Sequence, residues 1–213
     1  DHPNLPTIFA LGRRLDSYYI VMEMLHGIRL DERIDSSYDL GRSIPLTDAV
    51  EWLIAVTDAL NAVHQCGLAH RDIKAANILL CERRGPVLID LGLGVPETAL
   101  DRETLGGGSP LYQAPETIEG FPERGHGFLA DLYSLGVTAF ELLTGDLPFF
   151  DNDLAALEEL HRSAPIPSVR ALRPDAPQEL AALLKEMLAK DPAKRPSSAQ
   201  EVLWRLRAMA KQL

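Results

Sequence analysis

This sequence predicts an α+β fold, mainly helical, with a few strands near its start. Three observations carry that expectation. From Thr47 onward apolar residues recur at helical spacing in several long stretches. Short apolar runs rich in β-branched and aromatic residues fall before residue 91. The chain has 213 residues, 46% hydrophobic and 24% charged, which is enough to bury a sizeable core.

The elements follow in order. "YYIVMEML" (18–25) has the length and composition of a strand. "DSSYDLGRSIP" (35–45) is polar with Gly and Pro, and predicts a loop. Thr47 is placed to cap a helix carrying Val50, Leu53, Ile54, Leu60 and Val63 on one face, with Gly67 just past its end. "NILLC" (77–81) and "PVLID" (86–90), separated by "ERRG", predict a hairpin. From Leu91 to Tyr112 the chain lacks periodicity, and long loops in compact domains are usually functional. "DLYSLGVTAFELLTG" (131–145) is apolar nearly all round, so it predicts a buried central helix ended by Gly145. Pro177 to Lys190 is amphipathic, and Ser198-x-x-Glu201 is a capping box opening the last helix. Trp52 and Trp204 read as core residues of their helices.

The net charge is −10, which argues against a broad basic face for nucleic acid. Two cysteines, Cys66 and Cys81, give no disulfide framework and suit a reducing, cytoplasmic setting. No apolar run approaches the roughly 20 residues that span a bilayer, so no membrane segment is expected. The chain begins without Met, so upstream targeting or anchoring stays open.

The chemistry concentrates in "LAHRDIKAANILL" (68–80). Asp72 and Asn77 lie five apart, and Asp90 follows Asp72 by eighteen residues at the end of an apolar run. Asp and Asn offer hard oxygen donors of the kind Mg²⁺ accepts. A metal-bound polyphosphate needs such ligands, a cation for its oxygens and a carboxylate to orient the attacking hydroxyl. Lys74 can be the cation and Asp72 the orienting carboxylate. A carboxylate of pKa about 3.9 is a weak base at neutral pH. That suits phosphoryl transfer, where positioning outweighs early proton removal.

"HRDIKAAN" resembles the catalytic loop of eukaryotic-type protein kinases, H-R-D-L-x-x-x-N. "DLG" at 90–92 resembles D-F-G with Leu91 for Phe, and "APE" at 114–116 matches outright. "DLYSLG" (131–136) and "DPAKRPS" (191–197) resemble later family segments, and "HPNL" (2–5) with "YYIVMEML" resembles the fourth and fifth strands of the small lobe. The resemblance implies a partial small lobe and hinge over residues 1–25 and a mainly helical large lobe over 26–213. It implies a serine/threonine protein kinase that uses ATP and Mg²⁺ and acts on a protein substrate with a Ser or Thr acceptor. Asp72 would orient that hydroxyl, and Lys74 would neutralise charge near the γ-phosphate. Asn77 and Asp90 would hold Mg²⁺. Met22 would be the gatekeeper, Glu23 and Leu25 would meet adenine through their backbones, and Leu79 would lie beneath the ring. Arg195 would pair with Glu116, and Asp131 would cap amides of the catalytic loop. His70 is expected to be structural, and His2, His64, His126 and His161 have no zinc-like spacing. Ser109 stands where the family bridges Asp72 and Lys74 with a hydroxyl. Arg71 implies control by activation-loop phosphorylation, with Thr104 the preferred site over Thr98.

The sequence also departs from the pattern. It has no G-x-G-x-x-G, since Gly12 and Gly27 are isolated, and "GRRLD" (12–16) does not resemble the V-A-I-K strand. A truncated stretch of an ordinary kinase and a short defective relative both fit, and the missing initiator Met favours the first. Three functions stay open: the Ser/Thr kinase, a pseudokinase scaffold and a small-molecule phosphotransferase. Binding of nucleotide and Mg²⁺ separates the first two. The A-P-E triplet, "GSPLY" and the Arg195 segment argue against the third, because in the family they build a peptide groove.

Overall fold

The computed structural model describes residues 1–15, 17–90, 95–96, 108–118, 126–211 and 213. An antiparallel hairpin of β1 (Ile8–Arg14) and β2 (Ser17–Met22) opens the chain, with Leu11 opposite Ile20. The sequence reading did not single out β1. Phe9 and Leu11 are 65% and 76% exposed, so no one-sided burial pattern marks the strand.

Residues 23–27 run without regular structure into β3 (Ile28–Arg29). Strand β3 pairs with β5 (Ile78–Cys81), which pairs with β6 (Gly85–Leu88), both antiparallel. Gly27 is required here, because a Cβ at this position would meet the Leu80 carbonyl oxygen at 2.4 Å. The β5–β6 hairpin falls on the two apolar runs expected to form it. A second small ladder joins β4 (Leu68–Ala69) to β7 (Val95–Pro96).

Helix α1 (Leu30–Tyr38) corrects the expectation of a loop from residue 35. Its composition is polar, but Leu30 and Ile34 lie one turn apart and are buried, and the Tyr38 hydroxyl donates to the Leu143 carbonyl at 2.7 Å. Tertiary contacts hold a segment whose own sequence reads as loop.

The helical body is built from α2 (Leu46–Gln65), α4 (His126–Thr144), α7 (Gln178–Met187) and α8 (Ala199–Ala210). Helix α2 starts one residue before Thr47. Pro45 is its N-cap, and the Thr47 hydroxyl turns to Asp48 at 3.4 Å instead of capping. Gly67, at φ +74°, follows its end. Helix α4 is the core element. Leu132, Tyr133, Val137, Phe140 and Leu143 on it are all buried, and Gly145 ends it at φ +79°. Helix α2 packs on α8, and α4 packs on α7.

Short or peripheral helices flank the body among the described residues: α3 (Pro115–Ile118), α5 (Leu154–Ser163), α6 (Val169–Leu172) and the 3₁₀ turns Pro110–Tyr112 and Pro192–Lys194. Ser198 caps α8 by accepting from the Glu201 amide at 3.2 Å, while the Glu201 carboxylate reaches back to the Ser197 amide at 2.8 Å. Trp52 packs against the core. Trp204 does not. It is 70% exposed, on the outer face of a helix whose buried stripe is Val202, Leu203, Leu206 and Met209. Both cysteines are free thiols.

Candidate active site

The loop from Ala69 to Asn77 leaves β4 and ends in a 3₁₀ turn (Ala75–Asn77) that leads directly into β5. Asp131, buried on α4, holds the start of this loop. Its carboxylate accepts from the His70 and Arg71 amides, both at 2.7 Å, and lies 2.9 Å from His64 Nε2. Arg71 sits at φ +70°, a sparsely populated region for a side-chain-bearing residue, and the two amide bonds to Asp131 stabilise it there. His70 is fully buried. Its Nδ1 faces the Asp72 amide at 3.3 Å and its Nε2 faces the Ile89 carbonyl at 3.3 Å. Burial holds its pKa below the usual histidine range, so the ring is neutral and structural.

Asp72 is 8% exposed and carries three partners. Lys74 Nζ lies 2.7 Å from Oδ2, Asn77 Nδ2 donates to Oδ2 at 2.8 Å, and the Ser109 hydroxyl donates to Oδ1 at 3.1 Å. Lys74 also donates to Ser109 Oγ at 2.7 Å, closing a triangle. Burial pushes the Asp72 carboxyl up, but hydrogen bonds from Lys74, Asn77 and Ser109 together hold it below its usual value. Asp72 is therefore an ionised acceptor at neutral pH. Gly108 makes the approach of Ser109 possible. It sits at φ +104°, and a Cβ there would lie 2.9 Å from the Arg71 carbonyl oxygen. A cleft lined by Asp72, Ser109, Tyr112, Ala130 and Asp131 opens beside this triangle.

Asn77 and Asp90 stand at one end of the β5–β6 hairpin. Asn77 precedes Ile78, Asp90 follows Ile89, and the Ile89 amide donates to the Asn77 carbonyl at 2.9 Å. Asn77 Nδ2 is committed to Asp72, to Oδ2 and to the backbone carbonyl, both at 2.8 Å. Its Oδ1 thus remains as an oxygen donor, and the exposed Asp90 carboxylate adds another. This hard pair fits Mg²⁺. Asp90 takes φ +65°. Among the described residues no group of three or more His, Cys, Asp or Glu could hold a metal.

Met22 ends β2, opposite Ile8, and is 39% exposed. Glu23 donates its amide to the Thr7 carbonyl at 3.0 Å. Among the described residues, the Glu23 carbonyl accepts no hydrogen bond and the Leu25 amide donates none. An extended segment with an open acceptor and an open donor suits the edge of a purine. Leu79 pairs across β5 with Arg29, beside the exit of this segment, and does not join the helical core as Ile78 and Leu80 do. The open groups of this segment and the partly exposed Leu79 would fit the edge and face of such a base.

Arg195 and Glu116 form a buried fork, with Nη1 and Nη2 donating at 2.6 and 2.7 Å. Leu91, Gly92, Thr98 and Thr104 lie outside the described residues. The sequence reading missed two site features. One is the Tyr112 hydroxyl, which donates to Glu141 at 2.7 Å. The other is Arg84, which ties the hairpin turn to Glu23. A carboxylate inside the apolar run of α4 was the one available signal for Glu141, and Arg84 had none.

The fold that carries this arrangement is that of a known family: residues 1–205 match the family described as the protein kinase domain. The chain belongs to that family, and its fold is the family's α+β fold, with few strands beside a mainly helical body. It is 32% identical over 206 residues to serine/threonine-protein kinase PrkC of Bacillus subtilis, covering 95% of this chain and 30% of that protein. It is 35% identical over 204 residues to serine/threonine-protein kinase Pkn1 of Myxococcus xanthus, covering 92% of this chain and 28% of that protein. A probable serine/threonine-protein kinase, PknB of Lactococcus lactis, is 30% identical over 204 residues, with 95% of this chain and 31% of that protein covered. The chain thus spans under a third of the length of these relatives.

Proposed function

We propose that this chain is the catalytic domain of a protein serine/threonine kinase that transfers the γ-phosphate of Mg-ATP to a protein hydroxyl. The observation that carries the proposal is the triangle of Asp72, Lys74 and Ser109, with Asn77 bonded to the same carboxylate. Bound Mg-ATP supplies the phosphoryl group and the cation that neutralises it. Asn77 and Asp90 would hold the metal. Asp72 would accept a hydrogen bond from the substrate Ser or Thr and aim its oxygen. Its lowered pKa makes it an orienting group more than a strong base, in keeping with a loose transition state. Lys74 would place its charge beside the transferred group, held in line by Ser109. The Glu23 carbonyl and Leu25 amide would take the adenine edge, with Met22 and Leu79 as apolar neighbours. We place the boundary between the partial small lobe and the large lobe after Leu25, within the unstructured hinge. No helix among the described residues is long and apolar enough to cross a membrane, and a cytoplasmic setting is our proposal.

The test is transfer from labelled Mg-ATP to a basic Ser/Thr-rich protein by the full-length protein, with Asp72→Asn and Asp90→Asn as controls. Each variant should keep its circular dichroism and lose transfer. Undiminished transfer by Asp90→Asn would remove Asp90 from the metal site. Folded wild-type protein that binds no Mg-ATP would leave the scaffold reading in its place.

A further inference from the structure

We infer that Arg84 is a positioning residue for the nucleotide: it clasps the hinge to the β5–β6 hairpin and so fixes the distance between the adenine end and the metal end of the site. The inference rests on the proposed nucleotide site but adds a residue outside it. Arg84 lies in the turn between β5 and β6. Its Nη1 donates to Glu23 Oε1 at 2.6 Å. Its Nε and Nη2 donate to the Pro3 carbonyl at 3.0 and 2.7 Å, and Nη2 also reaches the Leu5 carbonyl at 2.9 Å. The planar guanidinium thus spends its fork on three groups from two separate segments, which a lysine ammonium could not reproduce.

The partners are themselves linked. Glu23 Oε1 accepts from the Thr7 amide at 2.7 Å while the Glu23 amide donates to the Thr7 carbonyl at 3.0 Å. Asn4 Nδ2 donates to the Pro86 carbonyl at 2.7 Å, and the Leu88 amide donates to the Asn4 carbonyl at 2.9 Å. Residues 3–7, the start of the hinge and the hairpin turn therefore form one hydrogen-bonded unit. The hinge needs such support, because residues 23–27 belong to no helix or strand. Residues 3–7 are likewise irregular, and the backbone carbonyls of Pro3 and Leu5 give Arg84 its grip.

The hairpin is what makes the clasp functional. Its turn end holds Glu23 through Arg84, and its open end carries Asn77 and Asp90. A strand advances about 3.3 Å per residue, so the four residues of β5 set a span of roughly 13 Å between the two ends. A nucleotide whose base meets the hinge and whose phosphates meet the metal must match that span. Freeing Arg84 lets the hinge drift against the hairpin. The resulting loss falls on nucleotide binding, and the acceptor side around Asp72 and Ser109 is untouched.

The experiment has two arms. In the full-length protein, Arg84→Ala should raise the KM for ATP about tenfold, the size of one charge-assisted hydrogen bond, with kcat at saturating ATP and the peptide KM unchanged. Arg84→Lys should fall between wild type and Ala, since it keeps the charge and loses the fork. In the second arm, hydrogen exchange on this chain without nucleotide should show faster exchange at the Glu23 amide in Arg84→Ala, with the α4 amides unchanged. Faster exchange throughout, or an equal fall in kcat and in kcat/KM for both substrates, would make Arg84 a general stability residue and overturn the inference. Unchanged exchange at Glu23 would overturn it whatever the kinetics. Wild-type protein that takes no ATP would defeat the kinase reading, and the exchange arm would still decide whether the clasp holds the hinge.

Discussion

The Tyr112 hydroxyl donates to Glu141 Oε2 at 2.7 Å, joining the segment after Ser109 to a carboxylate inside the central helix. Burial raises the Glu141 pKa to about 7, with Tyr112 pulling it down and Asp31 and Asp35 on α1 pushing it up. Burial and the neighbouring Glu141 also push the Tyr112 phenol upward, so it keeps its proton to donate.

The sign of the pH effect follows. The folded protein holds the Glu141 proton more tightly than the unfolded chain, whose carboxyl titrates near 4.5. Between these values the native state binds more protons, so stability falls as pH rises and is lost through about 7. Glu141→Gln removes that dependence and keeps an acceptor for Tyr112. The stability difference between variant and wild type should move in the variant's favour by on the order of 3 kcal/mol from pH 4.5 to pH 8. Urea unfolding of both proteins across that range measures it, and parallel pH curves would count against the buried titration.

Ser109 is the hydroxyl between Lys74 and Asp72. In Ser109→Ala the lysine still meets Asp72 at short range, but nothing holds it aside from the oxygen that the acceptor hydroxyl must reach. The loss should fall on kcat, by about 10- to 100-fold for a hydrogen bond between charged partners, with the KM for ATP near wild type. Ser109→Thr keeps the hydroxyl and should keep most of the rate. Steady-state kinetics on the three proteins would refute the bridging role if Ala and Thr behaved alike.

How much of this was legible in the sequence depended on how local the cause was. Helix α4 announced itself because it is buried on every side, and the β5–β6 hairpin because its two apolar runs flank a polar turn. The candidate site residues Asp72, Lys74, Asn77 and Asp90 could be picked out because the polar chemistry is packed into a short loop and one strand end. Helix α1 was not legible, since Leu30, Ile34 and the terminal Tyr38 are the core contacts of a segment otherwise made of Asp, Glu, Arg and Ser. The exposure of Trp204 was hidden for a similar reason: an aromatic within an amphipathic helix carries no mark of which stripe it joins. Arg84 and Glu23 lie 61 residues apart, and Arg84 and Pro3 lie 81 apart. No spacing rule reaches across that distance, because the fold alone brings the hairpin turn against the hinge.

The last prediction concerns Arg195. Its side chain is 0% exposed and Glu116 is 10% exposed. Besides the fork to Glu116, Arg195 donates to the carbonyls of Ala189, Leu129 and Lys190 at 2.9, 2.9 and 3.3 Å, and its guanidinium lies 4.9 Å from the centre of the Tyr133 ring. Replacing it with Leu leaves a nearly buried carboxylate and three carbonyls without their donor. Breaking a buried pair from one side costs about 3–5 kcal/mol. In a domain of this size each kcal/mol moves Tm by about 2–4 °C, so the variant should melt on the order of 10 °C lower. Arg195→Lys should recover only a minor part, because a compact ammonium cannot serve both Glu116 oxygens and the carbonyls together. Arg195→Leu combined with Glu116→Leu should be more stable than Arg195→Leu alone, since the orphaned charge is gone. Calorimetry on the four proteins decides the matter: a double variant that melts below the single would mean that the cost lies in the lost carbonyl bonds and not in the stranded carboxylate.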